Sequence, residues 1–226
     1  MTIIKEPEVP AAGMTLKEMR EEVFAQGFDD FEGDAAGEAR INRWINQAYQ
    51  ELTLMKDWPF LEAEYEGTLP NTFENLGKIL DVVSVTNRYV LRPADRREIV
   101  RFDPTLQGNG QTAYRWFQEG VGTIATYPKT TSETFRVRYA VVPSELTEDT
   151  SKPLLPRRFQ YLIVKGAERQ AYMSRDAYSA AELVNGIIKE GRDNMVKALF
   201  GTNHDRWKKI ITTRGGYGYG GWNYGN

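Results

Sequence analysis

The amino-acid sequence predicts an α+β protein: a four-helix bundle of two N-terminal and two C-terminal helices, with a small antiparallel β-sheet or sandwich inserted between the pairs and an extended C-terminal tail. Three observations predict it. Apolar residues recur at helical spacing through residues 41–55, the pattern turns to alternation just past Asp57-Trp58-Pro59, and helical spacing returns after Lys152-Pro153-Leu154-Leu155-Pro156. The expected divisions are 1–58 and 154–200 for the helical bundle, 59–153 for the inserted β-rich domain and 201–226 for the tail. Helices distant in sequence are expected to pack together, because each carries one apolar stripe that must be buried.

The first helix opens on Thr15-Leu16-Lys17-Glu18, a capping box in which the threonine hydroxyl and the glutamate each satisfy an amide left orphaned at a helix start. Leu16, Met19 and Val23 form its apolar stripe. The following FDDFEGDAAG has the acidity of a calcium loop. With Gly33 as the turn glycine, however, Phe28 would fill the first ligand position and Ala39 the last, so it reads as a loop ending in an acidic N-cap. In the second helix Ile41, Trp44, Ile45, Ala48, Leu52 and Met55 share one face, which stops where Pro59 disfavours a helical residue before it.

The strands follow. FLEAEYEGTLP alternates, with Glu62, Glu64 and Glu66 on a polar face, and KILDVVSVTNRYVL is β-branched and breaks at an Asn87-Arg88 turn. ADRREIVRF reads as a short connecting helix and GNGQ as a turn. AYRWFQEGVGTIATYP reads as a hairpin about Glu119-Gly120-Val121-Gly122. TFRVRYAVV adds a strand with Phe135, Val137 and Tyr139 on one face. The third helix carries Phe159, Leu162, Ile163, Gly166, Ala167, Gln170 and Ala171, whose small members admit a close neighbour. Trp44 is expected against Gly166 and Ala167. Past Ser174-Arg175-Asp176 the fourth helix carries Ala180, Val184, Ile187, Ile188, Gly191, Met195 and Leu199.

Composition narrows the chemistry. A chain of 226 residues, 41% apolar and 12% aromatic, fills one good core or two small lobes. It has no cysteine, which removes disulfides, thiol catalysis and cysteine-bound metals and points to the cytoplasm. Neither a secretory leader nor a membrane-spanning run is visible. His204 is the single histidine, so no multi-histidine metal site and no catalytic dyad beyond that one residue can form. Gly120-Val121-Gly122 lacks the helix and third glycine of a phosphate-cradling loop. No cofactor, metal or catalytic residue is expected. Charge is divided: residues 1–66 carry 6 basic and 15 acidic side chains, residues 67–226 carry 23 and 16, giving −9 and +7. Either both are solvated faces, or acidic and basic regions meet within the fold or between copies. Arg157-Arg158 opens the third helix, where cations oppose the helix dipole, so a surface contact explains the pair better than stability does.

The chain ends in RGGYGYGGWNYGN, residues 214–226, with six glycines, three tyrosines and a tryptophan. Such glycine density disfavours a helix, and no period supplies a face to bury. It reads either as an ordinary disordered terminus or as an adaptable contact segment with Tyr217, Tyr219, Trp222 and Tyr224 as its anchors and Arg214 at its root.

Ile41-Asn42-Arg43-Trp44-Ile45-Asn46-Gln47-Ala48-Tyr49-Gln50-Glu51-Leu52, followed by Asp57-Trp58-Pro59-Phe60-Leu61, resembles the opening of the head-to-tail adaptor (connector) proteins of tailed bacteriophages. So do the hairpin ending in Tyr127-Pro128, the strand ending at Tyr139, Pro143, Leu146, and Leu155-Pro156-Arg157-Arg158-Phe159 ahead of Gly166-Ala167. The similarity runs from about residue 15 to 200, and it rests on the order of pieces that are each unspecific.

The resemblance implies a virion structural protein assembled in the host bacterial cytoplasm, with no enzymatic activity and no membrane. Its bundle would sit under the portal ring, and its copies would form a twelve-subunit ring around a channel through which DNA passes without sequence-specific binding. It would link portal protein to a downstream tail or nozzle protein and help retain packaged DNA. The portal- and subunit-binding residues are then Arg157, Arg158, Arg214, Tyr217, Tyr219, Trp222 and Tyr224. A stopper or tail-completion protein is the neighbouring alternative. From other classes come a carbohydrate- or peptide-binding module on Tyr114, Trp116 and Phe117, and a glycosidase on the acidic first third.

Overall fold

The computed structural model describes residues 3–201, apart from 107, 109 and 111. It is α+β. Helix α1 (Leu16–Val23) starts on the expected capping box, Thr15 accepting from the Glu18 amide and Glu18 reaching back to the Thr15 amide at 2.7 Å. After irregular turns over residues 24–31, Asp34 caps α2 (Ala35–Leu54) by accepting from the amides of Ala36 and Gly37. Helices α3 (Arg96–Phe102), α4 (Tyr161–Ser174) and α5 (Tyr178–Phe200) complete the set. Helix α4 is the common member, packing against α1, α2 and α5, while α1 also packs on α2.

Nine strands are present among the described residues: β1 (Ile3–Lys5), β2 (Glu62–Gly67), β3 (Asn71–Thr72), β4 (Leu76–Ser84), β5 (Tyr89–Val90), β6 (Arg92–Pro93), β7 (Arg115–Gly120), β8 (Thr123–Tyr127) and β9 (Phe135–Val141). They make two sheets, ordered β1-β2-β9-β4-β5 and β3-β8-β7-β6, all antiparallel except the β6·β7 pair. Strand β1 lies outside the expected plan. Three residues at one end of the chain carry too little pattern to announce a strand, yet Ile3 to Lys5 pair with Glu66 to Glu64 along the edge of β2.

The cores follow these layers. One cluster joins Leu16, Met19 and Val23 of α1 to Ile41, Ile45, Ala48, Tyr49 and Leu52 of α2 and to Leu162, Ile163, Ala167 and Ala171 of α4, with Trp58, Leu146 and Leu155 contributed by the connecting segments. A second lies in the sheets around Tyr65, Val82, Phe135, Val137 and Tyr139, the alternating faces expected for β2 and β9. A third seats α3 on the second sheet through Ile99, Phe117 and Ala125.

The expected place of Trp44 is corrected. The residue facing Gly166 is Ala48: a Cβ built on Gly166 would stand 2.5 Å from the Ala48 Cβ. An approach that close has no room for an indole. Trp44, one turn earlier, is only half-buried and meets Phe31 edge to face at 6.0 Å. Met55 and Ile187 are likewise exposed rather than packed. Tyr49 and Ala181 are buried instead, because the stripes drift around each helix by a residue from the simple template.

Candidate functional site

The segment that returns from the sheets to the helices is held by side chains acting as extra backbone. Asn46 on α2 donates from Nδ2 to the Leu146 carbonyl at 3.0 Å and accepts from the Leu146 amide on Oδ1 at 2.7 Å, closing a two-bond strand-like pair. Eight residues on, the Leu154 amide donates to the buried Tyr49 hydroxyl at 2.9 Å, and burial pushes that phenol up to about 12. Arg20 of α1 reaches Asp149 at 3.1 Å, while the amides of Leu16 and Lys17 donate to the carbonyls of Ser151 and Asp149. Residues 146–154 are thus held against α1 and α2, while at the sheet end of the segment the Val142 amide donates to the Asn75 carbonyl at 2.9 Å.

The segment ends at the predicted arginine pair. Pro156 precedes a single 3-10 turn, Arg157–Phe159, ahead of α4. Both arginines are exposed and they diverge. The Arg158 guanidinium lies over the Phe159 ring at 4.7 Å. Arg157 lines an open groove of about 580 Å³ with Ala11 to Met14 and the carboxylates of Glu18, Glu21 and Glu22. The Thr15 amide and hydroxyl hold Glu18 below the usual carboxylate range, with Lys152 and Arg157 acting in the same direction. Behind the pair, fully buried Gln160 accepts the Met14 amide at 2.6 Å and donates to the Leu155 carbonyl at 2.9 Å, stapling residues 13 and 14 beneath the turn. Arg214, Tyr217, Tyr219, Trp222 and Tyr224, like His204, lie outside the described residues.

The other readings find less support. On the hairpin Phe117 is buried, Trp116 is half-buried against the sheet core and Tyr114 alone of the three is exposed, so they do not form an open aromatic platform. Glu64 and Glu66 pair with Arg136 at 3.3 and 3.2 Å as a cross-strand ladder on a solvated face. Among the described residues no group of three or more His, Cys, Asp or Glu could hold a metal ion, and no helix is long and apolar enough to cross a membrane.

Two features escaped the sequence reading. Glu51 of α2 accepts from both Arg169 of α4 at 3.2 Å and Arg192 of α5 at 3.4 Å, one carboxylate tying three helices. And β6, β7 and α3 gather Arg92, Arg96, Arg97, Arg101 and Arg115 in one corner. The signal in the sequence is the density of arginine in RPADRREIVRF. A family model described as SU10 adaptor protein matches residues 14–206. The search of curated proteins gives no match.

Proposed function

Because the chain belongs to the SU10 adaptor protein family, a family of phage head-to-tail adaptors, we propose that it joins the portal ring to the tail in the virion and helps retain packaged DNA. The observation that carries the reading is the span of the match. Residues 14–206 take in all five helices and every described strand but β1, so the likeness covers the joined layers rather than one motif. In this reading the helical layer docks under the portal, the sheets point toward the next tail component, and twelve copies stand side by side around the DNA channel. The clamps at Asn46, Tyr49 and Arg20 suit such a part, because an adaptor must hold its two contact ends at a fixed separation. Leu183 and Ile187, exposed one turn apart on α5, supply an apolar spot for the neighbouring subunit.

Residues 214–226 serve as the portal-docking segment, with Tyr217, Tyr219, Trp222 and Tyr224 as anchors, Arg214 adding salt-sensitive attraction, and Arg157 and Arg158 contributing from the helical layer. Sedimentation of the full-length chain with purified portal tests this. Co-assembly is expected, and a chain lacking 214–226 should fold with an unchanged melting temperature yet attach at least tenfold more weakly, as removal of even one interface anchor worth about 2 kcal/mol would require. Equal attachment by both chains rules out the docking segment. Absence of co-assembly by the full-length chain rules out the adaptor reading.

A further inference from the structure

We propose that the corner formed by β6, β7 and the exposed side of α3 is a surface for the phosphodiester backbone of DNA. Its arginines are placed against the interest of the fold. Arg92 and Arg115 are direct cross-strand partners in the β6·β7 pair, a like-charge juxtaposition that weakens a sheet. Arg97 and Arg101 stand four residues apart on α3, where like charges repel, and Arg96 opens that helix at the end where a cation opposes the dipole. None of the five has an ion-pair partner among the described residues. Arg20, Arg136, Arg138, Arg169, Arg175 and Arg192 each have one, while the exposed Arg40, Arg43, Arg88, Arg157 and Arg158 also lack one among the described residues, so it is the juxtaposition of like charges that sets the corner apart.

Of the carboxylates nearby, Glu98 stands exposed on α3 between Arg97 and Arg101, and the other two are engaged in holding backbone. Asp95 caps α3 through the Arg97 amide at 2.8 Å, and Asp103 accepts from the Gly108 amide at 2.7 Å and from Thr105. Two exposed rings border the guanidiniums: Phe102 at the end of α3, 84% exposed, and Tyr114, 51% exposed, with the Arg115 guanidinium 5.9 Å from its centroid.

A surface that keeps unpaired, mutually repelling guanidiniums is relieved by a ligand carrying regularly spaced negative charge. Adjacent strands place Arg92 and Arg115 about 5 Å apart at their roots, and one helical turn places Arg97 and Arg101 about 6 Å apart, so the corner offers a row of forks rather than one pocket. Guanidinium forks match phosphate oxygens in pairs. A carboxylate surface from a second copy fits less well. Much of this chain's acidic helical end is already paired, Asp30 with Arg175, Glu38 with Arg20 and Glu21 with Lys17. Guanidinium contacts to phosphate carry no sequence information, so the contact is independent of sequence. The inference rests on the adaptor reading only in assigning the DNA to the channel. Its test uses the free protein, so failure here leaves portal attachment untouched.

The test is fluorescence polarisation of a labelled random-sequence duplex titrated with full-length protein at several salt concentrations, with sedimentation of the protein alone run alongside. Binding that weakens with salt is expected. The Arg92→Gln, Arg101→Gln, Arg115→Gln triple variant should lower the slope of log affinity against log salt by about 2 to 3, at about 0.9 per phosphate contact. Its melting temperature should not fall, because the substituted charges make no ion pair. A control of equal charge loss on the helical layer, Arg40→Gln, Arg43→Gln, Lys189→Gln, should leave the slope unchanged. No binding by the wild-type chain, or equal loss in the control, overturns the proposal. So does salt-sensitive self-association without duplex binding that the triple variant abolishes, which would make the occupant the acidic face of a second copy.

Discussion

The helical layer and the β6·β7 corner of the sheets handle charge in opposite ways, although elsewhere in the sheets Arg136 and Arg138 pair with Glu64, Glu66 and Asp81. In the helical layer nearly every half-buried cation has an assigned anion: Arg20 sits between Glu38 and Asp149, Lys165 pairs with Glu168 at 2.6 Å, and Glu51 serves two arginines. At the far corner of the sheets, arginine faces arginine across β6 and β7 with no carboxylate between them. Burying a charge without a partner is costly, whereas exposing one is nearly free, so the first region has little choice and the second has much. A pattern kept where stability does not ask for it points outward to a partner. The same contrast appears in the cores. The helical cluster is continuous and includes its connectors, while the sheets divide theirs into two smaller clusters, with the buried Glu133 carboxylate bridging Ser84 of β4 and the Ala113 amide ahead of β7.

The strongest way to break this comparison is at Trp58. It is fully buried, donates from its indole to the Leu52 carbonyl at 2.8 Å and packs between Phe60 and Phe200. Trp58→Ala should cost about 3–5 kcal/mol in denaturant unfolding. If the sheets melt on their own in that variant, seen as a separate second transition, the layers are less tightly joined than the contacts along residues 142–154 imply.

Alkaline pH gives the next largest effect. The Tyr49 phenol is raised from about 10 to about 12 by burial, so the fold favours its neutral form. Its contribution is fully present below pH 10. It is lost as pH rises from about 10 to 12, where the unfolded chain ionises before the folded one does, by roughly 2–3 kcal/mol. Unfolding curves of Tyr49→Phe should lack that alkaline loss relative to wild type, and parallel curves for the two proteins would contradict the assignment.

At the α2·α4 crossing, Gly166→Ala should cost about 1–3 kcal/mol by overpacking, since the new methyl would meet Ala48 at 2.5 Å. Adding Ala48→Gly should recover most of the loss, and failure to recover would mean the helices are not held at that point. The smallest effects sharpen the charge comparison itself. Arg20→Gln, which gives up Asp149 from a nearly buried position, should cost about 1–2 kcal/mol. Arg115→Gln should change stability by less than about 0.5 kcal/mol, and toward greater stability. Equal costs at the two positions would erase the distinction between the two regions.

Local chemistry was legible in the sequence wherever one residue and its near neighbours decide the outcome. Thr15 and Glu18 form their capping box, Asp34 caps α2, the Asn87-Arg88 turn separates β4 from β5, and Phe135, Val137 and Tyr139 turn inward together, because hydrogen bonds three residues apart and a period of two need no distant partner. The order of helices, strands and helices was determined the same way. What only the tertiary structure decided depends on which surfaces meet. Ala48 rather than Trp44 stands over Gly166, since the closest point of a crossing is set by both helices together. Strand β1 exists because β2 offers it an edge, and Asn46 becomes a clamp only when Leu146, a hundred residues away, is laid beside it. The arginine corner was in plain view as residues and invisible as a site. Arg92 and Arg115 lie 23 positions apart, and it takes the β6·β7 pairing to set one against the other.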